Sequence, residues 1–197
     1  MKMKTLYIMH FALYIALALV LSAYALELTP VSVARNIEIA PPAGASVETP
    51  DSNVIEASRS RRIITFDFPE GYFGENNVIM EAVLKVYIEP VGMGAEMAGA
   101  ERVEAICVPL TTELGGSPNW ASYNTAYNID YAEFSVYDEE GGYLFFDIAR
   151  MLYSANEGEI SLRGVMIIPT KGSRPFALAD VPSPIDFRTA NLIGARE

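Results

Sequence analysis

Histidine is all but missing from this chain, and the shortage narrows the chemistry more than any motif does. The only one among 197 residues is His10, inside an uncharged N-terminal run. Beyond that run there is no material for a Ser-His-Asp triad, a Cys-His pair or a histidine-ligated zinc. Cysteine is as scarce: Cys107 stands alone, so no internal disulfide can form and stability has to come from packing. In Arg102-Val103-Glu104-Ala105-Ile106-Cys107-Val108 it shares parity with Val103 and Ala105, the pattern of a buried, inert thiol. Positive charge is the third shortage, with 14 Lys and Arg against 25 Asp and Glu for a net charge of −11. Such a surface repels nucleic acid and anionic lipid, and it favours solubility and cations.

What is present begins with an address. Met1 to Lys4 carries two lysines, Thr5 to Leu21 holds no acid, lysine or arginine, and Ala23-Tyr24-Ala25 supplies the small residues that a signal peptidase accepts. Residues 1–25 are therefore expected to be a signal peptide. Its removal would leave a protein that is secreted, periplasmic or at the cell surface, with no membrane span. The other reading is an uncleaved anchor, because the uncharged run approaches the roughly 20 residues that a bilayer core requires. No cysteine lies near the cleavage point, which argues against a lipoprotein. The rest suffices for one domain with a substantial core.

The central pattern lies between Arg61 and Glu89. Arg61-Arg62-Ile63-Ile64-Thr65-Phe66-Asp67-Phe68 breaks at Pro69-Glu70-Gly71 and resumes from Val78, where Ala82, Leu84, Val86 and Ile88 alternate with Glu81, Val83, Lys85, Tyr87 and Glu89. Period-two alternation separates an apolar face from a largely polar one, so a strand lies on a core. Upstream, residues 26–50 read as an N-terminal edge strand, Val31 to Ile39, and a linker around Pro41-Pro42-Ala43-Gly44. Residues 51–197 read as the domain proper. Val54 to Ala57 and Arg102 to Pro109 are expected as strands, and Pro90 to Ala100 as a loop whose Gly92-Met93-Gly94 lacks the spacing of a phosphate-binding turn.

Further along, Phe134 to Tyr137 and Tyr143 to Asp147 flank Asp138-Glu139-Glu140-Gly141-Gly142, a hairpin signal. Asp147 suits the N-cap of one short helix running to about Ser154. Ile160 to Pro169 reads as a strand that becomes apolar on both faces at Val165-Met166-Ile167-Ile168, hence a central one. Phe176 to Val181 and Ile185 to Ile193 follow. Short strands punctuated by Gly and Pro, with one helix, predict an all-β, two-sheet antiparallel sandwich.

The segment from Thr111 to Tyr131 breaks periodicity and concentrates aromatic and amide side chains. Sugar rings stack their C–H faces on flat aromatic rings while amides bond their hydroxyls, so Trp120, Tyr123, Asn124, Tyr127 and Asn128 are the candidate ligand-binding residues. Packing competes with this role most strongly at Trp120, whereas Tyr123 and Tyr127 are expected to be exposed. For a calcium ion the densest oxygen sources are Asp138, Glu139 and Glu140, and the pair Asp130 and Glu133, although neither has the spacing of an EF-hand loop.

In order along the chain, Arg61-Arg62-Ile63-Ile64-Thr65-Phe66-Asp67, Met80-Glu81-Ala82-Val83-Leu84-Lys85-Val86-Tyr87, Asn119-Trp120, Phe146-Asp147-Ile148-Ala149 and Arg163-Gly164-Val165-Met166-Ile167 resemble the DNRLRE, or disaggregatase-related, domain family. The resemblance spans about Ser52 to Glu197. It implies a secreted jelly-roll sandwich found beside polysaccharide-active enzymes, carbohydrate binding as its role, and a structural calcium in some relatives. The chain departs from the family pattern at Ala121, where an asparagine follows the tryptophan, and at Tyr153, where a tryptophan often closes the helix.

Three roles follow from these features. The first is a secreted, non-catalytic module binding polysaccharide or cell-envelope glycan, with no required cofactor beyond the calcium that the resemblance brings in. The second is a structural or assembly protein of the envelope that self-associates through Leu28 to Ile39. The third is a carboxylate-dependent glycan-active enzyme, placed last because no acid sits in a recognisable catalytic motif.

Overall fold

A computed structural model of the chain describes residues 28–43, 51, 53–56, 59–74, 77–91 and 102–193. The expected signal peptide and the Gly92-Met93-Gly94 loop lie outside them. Among these residues ten strands are formed: β1 (Thr29–Pro30), β2 (Ser32–Ile39), β3 (Arg61–Asp67), β4 (Asn77–Pro90), β5 (Glu104–Pro109), β6 (Glu133–Val136), β7 (Tyr143–Asp147), β8 (Val165–Pro169), β9 (Phe176–Leu178) and β10 (Ile185–Ile193). They make two antiparallel sheets. The first runs β1-β10-β4-β7, with β9 on the far end of β4, and the second runs β2-β3-β8-β5-β6. From β3 onward the chain passes back and forth between the sheets in the manner of a jelly roll. Among the described residues no helix is long and apolar enough to cross a membrane.

The alternation in β4 does what its pattern requires. Ala82, Leu84, Val86 and Ile88 are each buried, while Lys85, Tyr87 and Glu89 on the other face stay partly or fully exposed. Facing them across the sandwich are Ile64, Ala105, Cys107, Val165 and Ile167, closed at one side by Phe187 and the rings of Phe66 and Phe68. Cys107 is fully buried, as its parity predicts, and burial pushes its thiol well above the ordinary range.

The middle of the second sheet, Ile63 and Ile64 of β3 with β8 and β5, is buried on both faces, whereas Phe134 and Val136 of the edge strand β6 are exposed. Ile63, Ile106, Val108, Met166 and Ile168, which alternate with the inward residues, form a second apolar cluster with Ile39, Ile55, Leu110, Trp120 and Tyr123. That cluster is roofed by the excursion between β5 and β6, which contains α1 (Trp120–Tyr123) and a 3-10 turn at Ile129–Tyr131. The two-sided apolar run at Val165 to Ile168 therefore marks β8 as the middle strand of five, buried throughout. It starts at Val165 and not at Ile160. Gly164 has φ of +147°, and a Cβ there would lie 2.5 Å from the Ile64 carbonyl oxygen, so only glycine lets the chain come this close to β3.

Several expectations need correction. Phe134–Tyr137 and Tyr143–Asp147 do not form a hairpin: the turn is made, with Asp138 bridging Tyr143, but β6 pairs with β5 and β7 pairs with β4 in the opposite sheet. Ser135 replaces the missing ladder by accepting a 2.8 Å bond from the Phe145 N–H. Of Val54 to Ala57, whose last residue lies outside the described ones, the described residues contribute the bridge Ile55–Thr170, and Phe176 to Val181 shortens to β9. The longer helix, α2 (Ala149–Asn156), has Ile148 at its N-cap position, although the Asp147 carboxylate does accept the Ala149 N–H at 3.1 Å. The four-residue α1 comes in addition to the one helix expected.

Candidate functional site

The five side chains picked out as a ligand platform are gathered by the fold, but into the roof of the second sheet. Trp120 and Tyr123 are 6% and 5% exposed, which puts Tyr123 in the core and not on the surface. The Tyr123 hydroxyl donates to the Glu113 carbonyl at 2.8 Å and accepts the Gly115 N–H at 2.9 Å, tying the preceding loop down. The Asn124 carbonyl accepts from the Arg61 guanidinium. Asn128 caps the 3-10 turn by accepting the Asp130 N–H, and Asn119 does the same for α1 through Ser122.

At the centre of this roof lies Arg61, 1% exposed. Its guanidinium carbon sits 4.7 Å from the Trp120 ring centre and 5.5 Å from that of Tyr127. Burial lowers the pKa of Arg61, while Tyr127 and Asp51 raise it. Tyr127 is half-buried and donates its hydroxyl to Asp51 at 2.9 Å. Its pKa is pushed up to about 12, first by burial and then by that hydrogen bond, with Arg61 pulling the other way. These aromatic rings hold a cation that belongs to the chain itself.

The acidic turn between β6 and β7 is also committed locally. The Asp138 carboxylate accepts the N–H groups of Glu140 and Gly141 at 3.0 and 3.2 Å, an Asx turn. Among the described residues no three acidic, histidine or cysteine side chains are grouped so as to hold a metal ion, and Asp138, Glu139 and Glu140 are no exception. Glu133 sits elsewhere, with its carboxyl held above the ordinary range by burial and next by Asp147, against the pull of Arg150.

The roof covers the middle of the second sheet's outer face and leaves Phe134 and Val136 exposed at its β6 edge, while the outer face of the first sheet is open along β10, β4 and β7. Register sets Asp186, Lys85 and Phe145 side by side across β10, β4 and β7, and puts Tyr87 opposite Tyr143. Phe145 is 43% exposed. The Tyr87 and Tyr143 rings meet edge to face at 5.7 Å, and the Lys85 ammonium lies 4.6 Å from the Tyr143 ring centre. Arg188 holds both Asp186 oxygens through Nε at 3.0 and 3.1 Å. Beyond Tyr87 the face runs into a cleft of about 720 Å³ bordered by Val33, Val181, Pro182, Ser183, Asp186 and Arg188, within the roughly 300–1,000 Å³ typical of ligand clefts. Flat rings, fixed charges and an adjoining concavity can bind an extended polar ligand without bond-making chemistry.

Sequence reasoning did not reach this surface. Its signal was the parity of Lys85 with Tyr87 and of Tyr143 with Phe145, but which strands lie side by side is a property of the pairing. No protein-family model matches the chain, and no curated protein matches it in sequence.

Proposed function

We propose that this protein is a secreted, non-catalytic module that binds polysaccharide or cell-envelope glycan on the outer face of its first sheet. The observation that carries the reading is the unequal treatment of the two outer faces. One is covered over its middle strands by the Trp120 roof, while the other presents Tyr87, Tyr143 and Phe145 beside Lys85, Asp186 and Arg188. Aromatic rings can take the C–H faces of sugars, and the flanking charged groups can bond their hydroxyls. The resemblance to the DNRLRE domain family and the N-terminal Lys-apolar-Ala25 pattern point the same way. Strand donation from residues 28–39 is no part of this reading, because those residues already pair with β3 and β10 of their own chain.

The test is a glycan array followed by titration of any hit with the Tyr87→Ala and Tyr143→Ala variants. Each substitution is expected to weaken binding about tenfold, the scale of losing one buried stacking contact, while thermal stability stays near that of the parent. Absence of binding to every glycan, or binding untouched by both substitutions, would remove the proposal. Turnover of any bound glycan would overturn its non-catalytic part.

A further inference from the structure

A second cavity, of about 460 Å³, opens where four strand ends meet: Pro90 of β4, Arg102 and Val103 before β5, Val136 and Tyr137 at the end of β6, and Arg174 before β9, with Glu139 from the β6–β7 turn at its rim. The walls are cross-linked by the backbone. The Arg174 N–H donates to the Arg102 carbonyl, the Tyr137 N–H to the Val103 carbonyl and the Val91 N–H to the Pro175 carbonyl, each at 2.9 Å. The backbone of these walls is therefore held in place without a ligand.

Its charges are unusual for this chain. Acids outnumber bases 25 to 14, yet two of the residues that line this one small cavity are arginines. Among the described residues the ion pairs are Arg62–Glu38, Arg163–Glu113 and Arg188–Asp186, and none involves Arg102, Arg174 or Glu139. Paired guanidiniums favour a carboxylate, which they can hold through parallel N–H donors. Glu139 would repel a purely anionic guest and attract an ammonium group. Val103, Val136, Pro90 and the Tyr137 ring supply apolar contact.

We propose that this cavity binds a zwitterion of the amino-acid class, a free amino acid or a short peptide. Its carboxylate lies at Arg102 and Arg174, its ammonium group faces Glu139, and its side chain rests on the apolar wall. This site is separate from the outer face of the first sheet and does not depend on it.

The experiment is an NMR titration of the purified protein, following the backbone amides of Val103, Tyr137 and Arg174. The probes are glycyl-leucine, its N-acetyl and C-terminal amide forms, and glucuronate. Glycyl-leucine is expected to shift these signals to saturation. Each blocked peptide and each of Arg102→Gln and Arg174→Gln should bind about tenfold more weakly, the scale of one charge-assisted hydrogen bond. Unchanged signals from Val165–Pro169 would show that a variant has kept its fold. If Arg174→Gln unfolds, Arg102→Gln, at an exposed position, decides. No saturable shift with glycyl-leucine, equal binding of the blocked peptides, or equal or tighter binding of glucuronate would overturn the proposal.

Discussion

The Arg61 guanidinium lies 4.7 Å from the centre of the Trp120 ring, inside a roof that covers the second sheet. A charge placed this deep keeps few water contacts; the stacked rings and the Asn124 carbonyl replace part of its hydration, while its Nε and Nη2 have no hydrogen-bond partner among the described residues.

Arg61→Ala should accordingly cost about 3 kcal/mol through the cavity and the lost ring contacts, lowering Tm by about 10 °C in a domain of this size. Arg61→Met, which refills the volume without the charge, should cost clearly less. Trp120 is the only tryptophan, so its fluorescence reports the roof directly. A red shift is expected in the alanine variant, and an unchanged spectrum with unchanged Tm would contradict this account.

Tyr127 makes the roof sensitive to alkali. Its folded-state pKa of about 12 stands above the ordinary value of 10, so between the two the native state keeps a proton that the unfolded chain gives up. Stability should fall as pH rises through that window. Urea midpoints measured from about pH 9 to about pH 12 should show a shallower fall in Tyr127→Phe than in the parent. At neutral pH the same variant should lose about 1 kcal/mol for the hydrogen bond to Asp51.

Glu133 has the same sign of effect on the acid side. Burial and Asp147 raise its folded-state pKa above that of the unfolded chain. The native state therefore binds the extra proton, and stability from this group declines as pH rises from the ordinary glutamate range through the raised value. Glu133→Gln should flatten that decline and raise Tm slightly at pH 7. A lowered Tm at pH 7 would show that the charged form is favoured in the fold.

Calcium gives a further check. The Asp138 carboxylate is occupied by the turn, so adding calcium after EDTA should leave Tm unchanged. A rise that disappears in Asp138→Ala would reinstate the acidic turn as a metal site.

Much of the architecture could be read from alternation, because side-chain parity on a strand depends only on the strand. The faces of β4 and the exact span of Ile185–Ile193 were legible in this way, and so was the central place of β8. The sandwich of two antiparallel sheets follows from the same signals. Partnership was not legible. Asp138 to Gly142 carries every mark of a hairpin turn, yet its two strands enter different sheets, since each finds a longer ladder elsewhere. The aromatic loop misled for a related reason. Tyr and Asn in a Gly- and Pro-rich segment look like surface, and nothing local shows that the outer face of β3, β5 and β8 is apolar and needs a cover. The run Val165 to Ile168 held that information, because a strand that is apolar on both sides requires two layers against it.

The first and last strands also bear on how the molecule comes into being. β10 lies between β1 and β4 and is the partner of both. During synthesis the long edge of β4 stays open until Ile185 to Ile193 has left the ribosome. Before then, among the described strands, β1 has none to pair with, and β4 is held by β7 and β9 alone.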